Sequence, residues 1–138
     1  MYLIDTNVIS EARKRAKANR GVMAFFETVV ASSEPVFLSA ISVGELRCGV
    51  ELVRRRGDAD QARRLEAWLT SVVESFGQRI LAFDADAAQV WGYLRVPDPG
   101  HAIDKQIAAI ALANDLTLVT RNVADFEGSG VKLANPFQ

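Results

Sequence analysis

In Tyr2-Leu3-Ile4-Asp5-Thr6-Asn7 a short apolar run ends abruptly in an acid and two small polar residues. Consecutive apolar residues of this kind are typical of a buried strand in a parallel sheet. Such sheets bind ligands at the carboxyl ends of their strands, and Asp5 occupies that position. The alternative is that Asp5 only caps a helix beginning at Thr6.

The rest of the chain alternates between short apolar runs and segments with helical spacing. Further strands are predicted at 36–38, 80–83, 117–119 and 131–133, and helices at 22–31, 42–55, 59–76, 85–95 and 102–114. This order predicts one domain over residues 1–138, a three-layer α/β/α fold with a central parallel sheet of about five strands. The first strand is expected between the second and fourth, and the fifth at an edge. The helices at 42–55 and 59–76 predict a helical hairpin that projects from the sheet.

Composition excludes several classes of protein. The chain has 138 residues, of which 49% are hydrophobic and 24% charged, as expected for a globular domain. One cysteine, Cys48, excludes an intramolecular disulfide framework and a cysteine-based zinc cluster. No apolar run approaches the roughly 20 residues of a membrane span, and no signal peptide is recognisable. A cytoplasmic location is therefore expected.

The charge is unevenly distributed, although the net charge is only −1. Residues 13–64 have a balance of +5, whereas the remainder has −6. Basic side chains in the first region are candidates for contacts with the phosphates of a nucleic acid: Arg13, Lys14, Arg15, Arg54 and Arg55. Two solvated helix faces rich in arginine would give the same distribution.

Four acids are expected at the carboxyl edge of the sheet. Asp5 follows the first strand, and Glu45 lies in the first predicted turn of the helix after the second. Asp104 begins the helix before the fourth strand, and Asp125 follows that strand just past Thr120. Four neighbouring carboxylates repel one another unless a cation neutralises them, and oxygen ligands suit Mg²⁺ or Mn²⁺. A divalent ion held by acids is suited to phosphodiester hydrolysis.

Each of these acids also has a purely structural interpretation. Ser42 and Glu45 have the spacing of a capping box, Asp104 could stabilise a helix dipole, and Asp125 could be an exposed turn acid. Other polar and aromatic residues are expected to be structural. We expect His101 in a loop, Asp84 and Asp86 as cap and first-turn acids, Trp68 and Trp91 in packing, and Gly44 and Gly49 where a backbone or ligand comes close.

Taken in order, these motifs resemble the PIN-domain ribonucleases, most closely the VapC and FitB type of toxin in type II toxin–antitoxin pairs. The resemblance spans nearly the whole chain and rests on Leu3-Ile4-Asp5-Thr6-Asn7, Leu38-Ser39-Ala40 with Glu45-Leu46, Asp104 with Ile107-Ala108-Ala109, and Leu118-Val119-Thr120-Arg121-Asn122 with Asp125-Phe126.

The resemblance implies an acidic metal pocket and the positions that form it. The family's four acids match Asp5, Glu45, Asp104 and Asp125. Its Ser/Thr position matches Thr120, and its supporting polar positions match Asn7 and Asn122. Such proteins are Mg²⁺- or Mn²⁺-dependent endoribonucleases, usually homodimers, inhibited by a cognate VapB-like antitoxin whose C-terminal segment covers the acidic groove. One departure is Lys105, which follows Asp104 where many relatives carry a small or apolar residue; its ammonium could contact phosphate or weaken metal binding.

Three other functions fit the sequence less well than a ribonuclease does. An aspartate-nucleophile phosphatase needs a second acid two residues after Asp5, where Asn7 stands. A phospho-accepting receiver needs paired acids after the first strand and a lysine after the fifth, and only Ala134-Asn135 follows Leu133. A non-catalytic RNA-binding module of the same fold is disfavoured by the four intact acids. The sequence therefore predicts a metal-dependent endoribonuclease that acts as a toxin.

Overall fold

The computed structural model describes residues 1–138 and contains one five-stranded sheet. Its strands are β1 (Tyr2–Ile4), β2 (Val36–Ser39), β3 (Ile80–Leu81), β4 (Thr117–Val119) and β5 (Leu133–Ala134). All pairings are parallel, and the order is β3-β2-β1-β4-β5. The prediction that β1 lies between β2 and β4, with the fifth strand at an edge, is confirmed.

Six α-helices connect the strands. They are α1 (Thr6–Ala12), α2 (Arg20–Ala31), α3 (Ala40–Arg55), α4 (Ala59–Phe76), α5 (Ala85–Leu94) and α6 (Ala102–Ala113). Short 3₁₀ turns lie at Arg15–Lys17, Gly77–Arg79 and Val123–Phe126. Helical spacing does not predict α1, because seven residues with two buried side chains are too few to show a period. The third strand is shorter than predicted, and β5 begins at Leu133 rather than at position 131.

Both faces of the sheet are covered by helices, which confirms the three-layer α/β/α prediction. Alternate strand residues point to opposite faces. Ile4 and Leu38 therefore join one apolar cluster with α1 to α4, whereas Leu3 and Leu118 join another with α5 and α6. Both clusters are built from fully or largely buried aliphatic side chains, as a sheet covered on both faces requires.

The connections reverse direction in the middle of the sheet. From β1 the chain steps outward to β2 and then β3, and it next crosses to β4 and steps outward to β5. With right-handed crossovers, this reversal places the helices on opposite faces and opens a crevice at the carboxyl ends of β1 and β4. Asp5 follows β1 and Thr120 follows β4, so the topology brings these two residues to one crevice.

The helical hairpin of α3 and α4 packs its apolar stripe against the sheet layer. Leu46 and Val50 of α3 and Leu69 and Val72 of α4 are buried in the same cluster. On the solvent side, the two helices share an ion-pair network of Arg47, Glu51, Arg54 and Glu66.

The glycines of α3 have no close neighbour. A Cβ added to Gly44 or Gly49 would meet no atom within 4 Å, so the expectation that another part of the backbone approaches them is wrong. No helix of the chain is both long enough and apolar enough to cross a bilayer.

Candidate active site

Asp5 is buried at the carboxyl end of β1 and is held by several donors. Its exposure is 4%, and its backbone N–H donates to the carbonyl of Val119 in β4 at 2.8 Å. The carboxylate accepts hydrogen bonds from the Thr120 hydroxyl at 2.8 Å, the Thr6 N–H at 2.8 Å and the Asn7 amide at 3.3 Å. Asp5 is thus the N-cap of α1 and also faces the crevice, so the two interpretations of this residue are compatible.

Glu45 reaches the same region from α3 through a chain of hydroxyl groups. Its Oε1 accepts a hydrogen bond from the Thr6 hydroxyl at 2.7 Å, and that hydroxyl lies 2.8 Å from the hydroxyl of Ser42. Ser42 in turn lies 3.2 Å from the hydroxyl of Ser39. Because each hydroxyl carries one proton, the consistent assignment has Ser39 donating to Ser42, Ser42 donating to Thr6, and Thr6 donating to the Glu45 carboxylate.

The capping-box interpretation of Glu45 is wrong. The helix α3 begins at Ala40, and its N-cap is Ser39, whose side chain accepts from the Ser42 N–H. Ser42 therefore lies inside the helix, and Glu45 belongs to the second turn rather than the first. Its carboxylate bonds to Thr6 of α1 and not to a cap amide.

Asp104 and Asp125 form the other side of the site, together with His101. One ligand atom from each of the three lies within 4.8 Å of the others. Asp104 is in the first turn of α6, and Asp125 is exposed in the 3₁₀ turn after β4. His101 lies at the loop–helix junction, as expected, and its Nδ1 is 3.7 Å from Asp104 Oδ2. Sequence alone gave no reason to place this ring beside the acids.

The raised pKa values of Asp5 and Asp104 indicate that the charges of the neighbouring acids act on both residues. Burial raises the pKa of Asp5 above its ordinary value, against hydrogen bonds from Thr120 and Thr6 that lower it, and the charges of Asp104 and Asp125 raise it further. Partial burial also raises the pKa of Asp104, with Asp125 and Glu45 adding to the effect. Like charges held this close disfavour ionisation unless a cation enters.

The donor set fits a divalent cation. None of the ion pairs in the molecule gives Asp5, Glu45 or Asp125 a Lys or Arg partner, and Asp104 is paired only with His101. The site therefore has excess negative charge and many free carboxylate oxygens. Oxygens on opposite sides of one Mg²⁺ are roughly 4.2 Å apart, which is comparable with the 4.8 Å within which ligand atoms of His101, Asp104 and Asp125 lie.

Thr120 and Asn7 contact Asp5 directly, whereas Asn122 is exposed and reaches Thr120 only through its backbone. Thr120 is fully buried, and its Oγ1 accepts from the Asn122 N–H at 3.1 Å and lies 3.4 Å from the Asn7 amide. Asn7 Oδ1 also accepts from the backbone N–H of Arg121 at 3.1 Å. These contacts fasten the loop after β4 to the start of α1.

Several of the predicted RNA-binding cations have partners within the protein. Lys14 pairs with Glu11 at 2.9 Å, and Arg54 pairs with Glu51 and Glu66. The Arg13 guanidinium lies 6.0 Å from the Trp68 ring, in a cavity of about 210 Å³ that also contains Thr6 and Glu45. Neither Arg15 nor Arg55 forms an ion pair. A role in binding RNA remains a prediction for all five. Of these residues, Arg13 lines the same cavity as Glu45.

The expectations for the remaining structural residues agree with the structure. The Asp84 side chain caps α5 by accepting from the Ala87 N–H at 2.9 Å, and Asp86 is in the first turn of that helix. Trp68 packs against the first apolar cluster, and Trp91 donates to the carbonyl of Ala102 at 3.1 Å.

Lys105 is bound by the loop before α6 and lines a cavity of about 420 Å³ that His101 and Asp125 also line. Its ammonium donates to the carbonyl of Asp98 and lies 3.9 Å from that residue's carboxylate. The Gly100 N–H and, after it, the Lys105 charge hold the pKa of Asp98 below its ordinary value. A contact of this ammonium with phosphate, or a weakening of metal binding, stays a prediction.

Comparison with known proteins identifies the fold family. A family model described as PIN domain matches residues 2–127. The toxin FitB of Neisseria gonorrhoeae is 37% identical over 99% of both chains, and the VapC ribonuclease Y4jK of Sinorhizobium fredii is 35% identical over 100% of this chain and 99% of its own. The crystal structure of FitAcB from Neisseria gonorrhoeae superposes with a TM-score of 0.84 at 37% identity, covering 99% of this chain and 98% of the other.

Proposed function

The chain belongs to the PIN-domain family, and on that basis we propose that it is an Mg²⁺- or Mn²⁺-dependent endoribonuclease that acts as the toxin of a type II toxin–antitoxin pair. The observation that carries the proposal is the convergence of Asp5, Glu45, Asp104 and Asp125 on one crevice without a Lys or Arg partner. Relatives named as a toxin and as a ribonuclease match it over their whole length.

The four acids would hold the ion, with Thr120 and Thr6 fixing two of them. When bound, a divalent ion supplies an activated water and offsets charge on the phosphoryl oxygens. Thr120 and Asn7 hold the Asp5 carboxylate in a single orientation, and Thr6 does the same for Glu45. These hydrogen bonds preorganise the oxygens, which reduces the cost of arranging them around the ion.

Asn7 disfavours the phosphatase alternative. An aspartate-nucleophile phosphatase requires a carboxyl group at that position for acid–base chemistry. Here the side-chain amide donates to Asp5 Oδ2 and its oxygen accepts from the Arg121 N–H. An amide does not ionise at ordinary pH, so position 7 cannot exchange a proton with a leaving group, and its two ends instead link the segments that follow β1 and β4.

The excess negative charge of the pocket also suggests how the enzyme is inhibited. A cognate VapB-like antitoxin would place an Arg or Lys among the acids and so compete with the metal ion. We further propose that the toxin acts as a homodimer in the cytoplasm. Purification with and without the neighbouring reading frame, followed by light scattering, would measure both assemblies.

RNA cleavage tests the proposed activity directly. Purified protein would be incubated with total RNA in Mg²⁺, in Mn²⁺ and in EDTA, alongside Asp125→Asn and, as a matched exposed acid outside the site, Asp115→Asn. Cleavage that needs the metal, is lost in Asp125→Asn and persists in Asp115→Asn supports the proposal. Equal cleavage by both variants, or cleavage in EDTA, would refute it.

A further inference from the structure

Arg121 lies at the rim of the acid pocket, yet none of the roles described above involves its side chain. It follows Thr120 directly, and its backbone N–H donates to Asn7 Oδ1 at 3.1 Å. The same asparagine contacts Asp5 through its amide nitrogen. The Asn7 side chain therefore links the backbone of Arg121 to Asp5, one of the predicted metal ligands.

The guanidinium group of Arg121 is also held in place, by an aromatic ring. Its Cζ lies 4.9 Å from the centroid of the Phe137 ring, within the range of a cation–π contact. An arginine that stacks on a ring keeps the N–H groups at its edge free to donate. Since the residue is exposed, those donors face solvent.

Phe137 is positioned by contacts on both sides of it in the chain. The carbonyl of Ala134 accepts from the Thr120 N–H at 2.9 Å, and the backbone of Gln138 makes two hydrogen bonds to the Asn19 side chain, at 3.0 and 3.1 Å. The segment approaches α2 so closely that a Cβ on Gly21 would lie 1.9 Å from the carbonyl oxygen of Pro136. The ring under Arg121 is thus part of a packed segment.

Arg121, like Arg13, forms no ion pair, and Glu11, the acid whose charge acts on it, is already paired with Lys14. The ion pairs of the molecule include Lys14, Arg47 and Arg54 but not Arg121. A charge that already has a carboxylate partner must lose that partner before it can bind a phosphate. An oriented, unpaired guanidinium has no such cost and needs little reordering.

We propose that Arg121, stacked on Phe137, binds a phosphodiester of the RNA adjacent to the one that is cleaved. The planar fork of a guanidinium matches two phosphate oxygens, and it can donate two parallel hydrogen bonds to them. The inference rests on the proposed ribonuclease function and assigns one contact that positions its substrate. Arg121 remains outside the reacting atoms and affects the binding of RNA rather than the hydrolytic step.

The test measures binding of a fluorescein-labelled single-stranded RNA of mixed sequence at several KCl concentrations. Asp5→Asn is present in every protein so that the RNA stays intact. Arg121→Gln should weaken binding on the order of three- to tenfold at low salt and reduce the slope of log K against log [KCl] by about 0.7, the value for one lost phosphate contact on a single strand. Arg121→Lys should restore the slope but only part of the affinity, because lysine keeps the charge and loses the fork.

Two further variants separate phosphate binding from a structural role. Phe137→Leu keeps an apolar side chain but removes the ring, and it should weaken binding without changing the slope. Arg56→Gln is the matched control, since Arg56 is an exposed arginine without an ion pair at the far end of α3, and it should bind as the parent does. A slope in Arg121→Gln equal to that of Arg56→Gln would overturn the proposal.

Cleavage assays distinguish a failure of this inference from a failure of the proposed function. With Asp5 intact, wild-type protein that cleaves RNA in Mg²⁺ upholds the function, and Arg121→Gln should then raise KM with kcat within about twofold. A changed kcat with an unchanged KM would contradict the inference alone. Absence of cleavage by wild type would contradict the function itself, and the binding data would still decide whether Arg121 contacts phosphate.

Discussion

The hydroxyl of Thr6 donates to Glu45 Oε1 at 2.7 Å, so the residue next to one predicted metal ligand fixes another that lies 39 positions away. The contact joins the start of α1 to the second turn of α3. It was not predicted, because the neighbourhood of Asp5 gave no indication of which later acid would meet Thr6. The sequence indicated this hydroxyl network only through the Ser39–Ser42 spacing, because two serines three positions apart can align their hydroxyls on one side of a helix start.

Removing this hydroxyl should impair the reaction more than the fold. In Thr6→Val the Glu45 carboxylate loses its donor and becomes free to rotate, and we expect kcat in Mg²⁺ to fall about tenfold, as is usual for lost partners of metal ligands. Thr6→Ser keeps the hydroxyl and should stay near wild type. Thr28→Val is the matched control, because the Thr28 hydroxyl bonds only to the carbonyl of Ala24 on the exposed side of α2. Equal rates for the two valine variants would argue against the positioning role.

The hydroxyl of Thr120 should contribute measurably to stability. Thr120→Val leaves the Asn122 N–H without its acceptor and Asp5 Oδ2 with only the longer contact from the Asn7 amide, and an unpaired buried group costs about 1–3 kcal/mol. Urea unfolding in EDTA would measure the difference. Thr117→Val on the same strand is the control, since Thr117 makes no side-chain hydrogen bond and valine favours strands. Equal unfolding free energies for the two variants would contradict the buried network.

The metal-free protein should become more stable when one acid is neutralised. The raised pKa of Asp104 means that the folded state binds its proton more tightly than the unfolded state does. Stability is therefore lost as pH rises from the unfolded value, about 3.9, through the higher folded value. In EDTA, Asp104→Asn should raise Tm by about 2–4 °C at pH 7 and by less near pH 4.

Divalent ions should reverse the order of Tm, so that wild type becomes more stable than Asp104→Asn. Mn²⁺ stabilises the state that binds it, so it should raise the Tm of wild type and leave Asp104→Asn nearly unchanged. Asp86→Asn is the control, because Asp86 is also a first-turn acid but lies on α5. It should respond to Mn²⁺ as wild type does. An equal Mn²⁺ response in all three proteins would contradict the assignment of Asp104 to the metal site.

Two glycines should respond in opposite ways to alanine. Gly21→Ala places a methyl group 1.9 Å from the carbonyl oxygen of Pro136, and we expect it to lower the free energy of unfolding by about 1–3 kcal/mol. Gly44→Ala meets no atom within 4 Å in the middle of α3 and should raise it by about 0.5–1 kcal/mol. Urea unfolding of both variants would measure the signs, and a stabilising Gly21→Ala would show that the segment after β5 does not pack on α2.

The sequence predicted the sheet more fully than the site. Buried strands such as Tyr2–Ile4 are recognisable because every residue in them is apolar, and their alternation with helices determines the topology. The four acids could be placed at one edge because the carboxyl ends of parallel strands meet there. The contacts of Thr6, His101 and Arg121 could not be predicted, since they depend on how α1, α6 and the segment after β5 are rotated against the sheet.

Comparison of Asp5→Asn with Asp84→Asn, measured as single-turnover RNA cleavage in Mg²⁺, separates the site from the fold most directly. Both aspartates follow a strand and serve as the N-cap of the next helix, and asparagine caps about as well as aspartate. Only Asp5 faces the other acids. Cleavage should fall by at least about a hundredfold in Asp5→Asn and stay at the wild-type rate in Asp84→Asn. Asp5→Asn that cleaves as fast as Asp84→Asn would show that these acids are not the catalytic metal site.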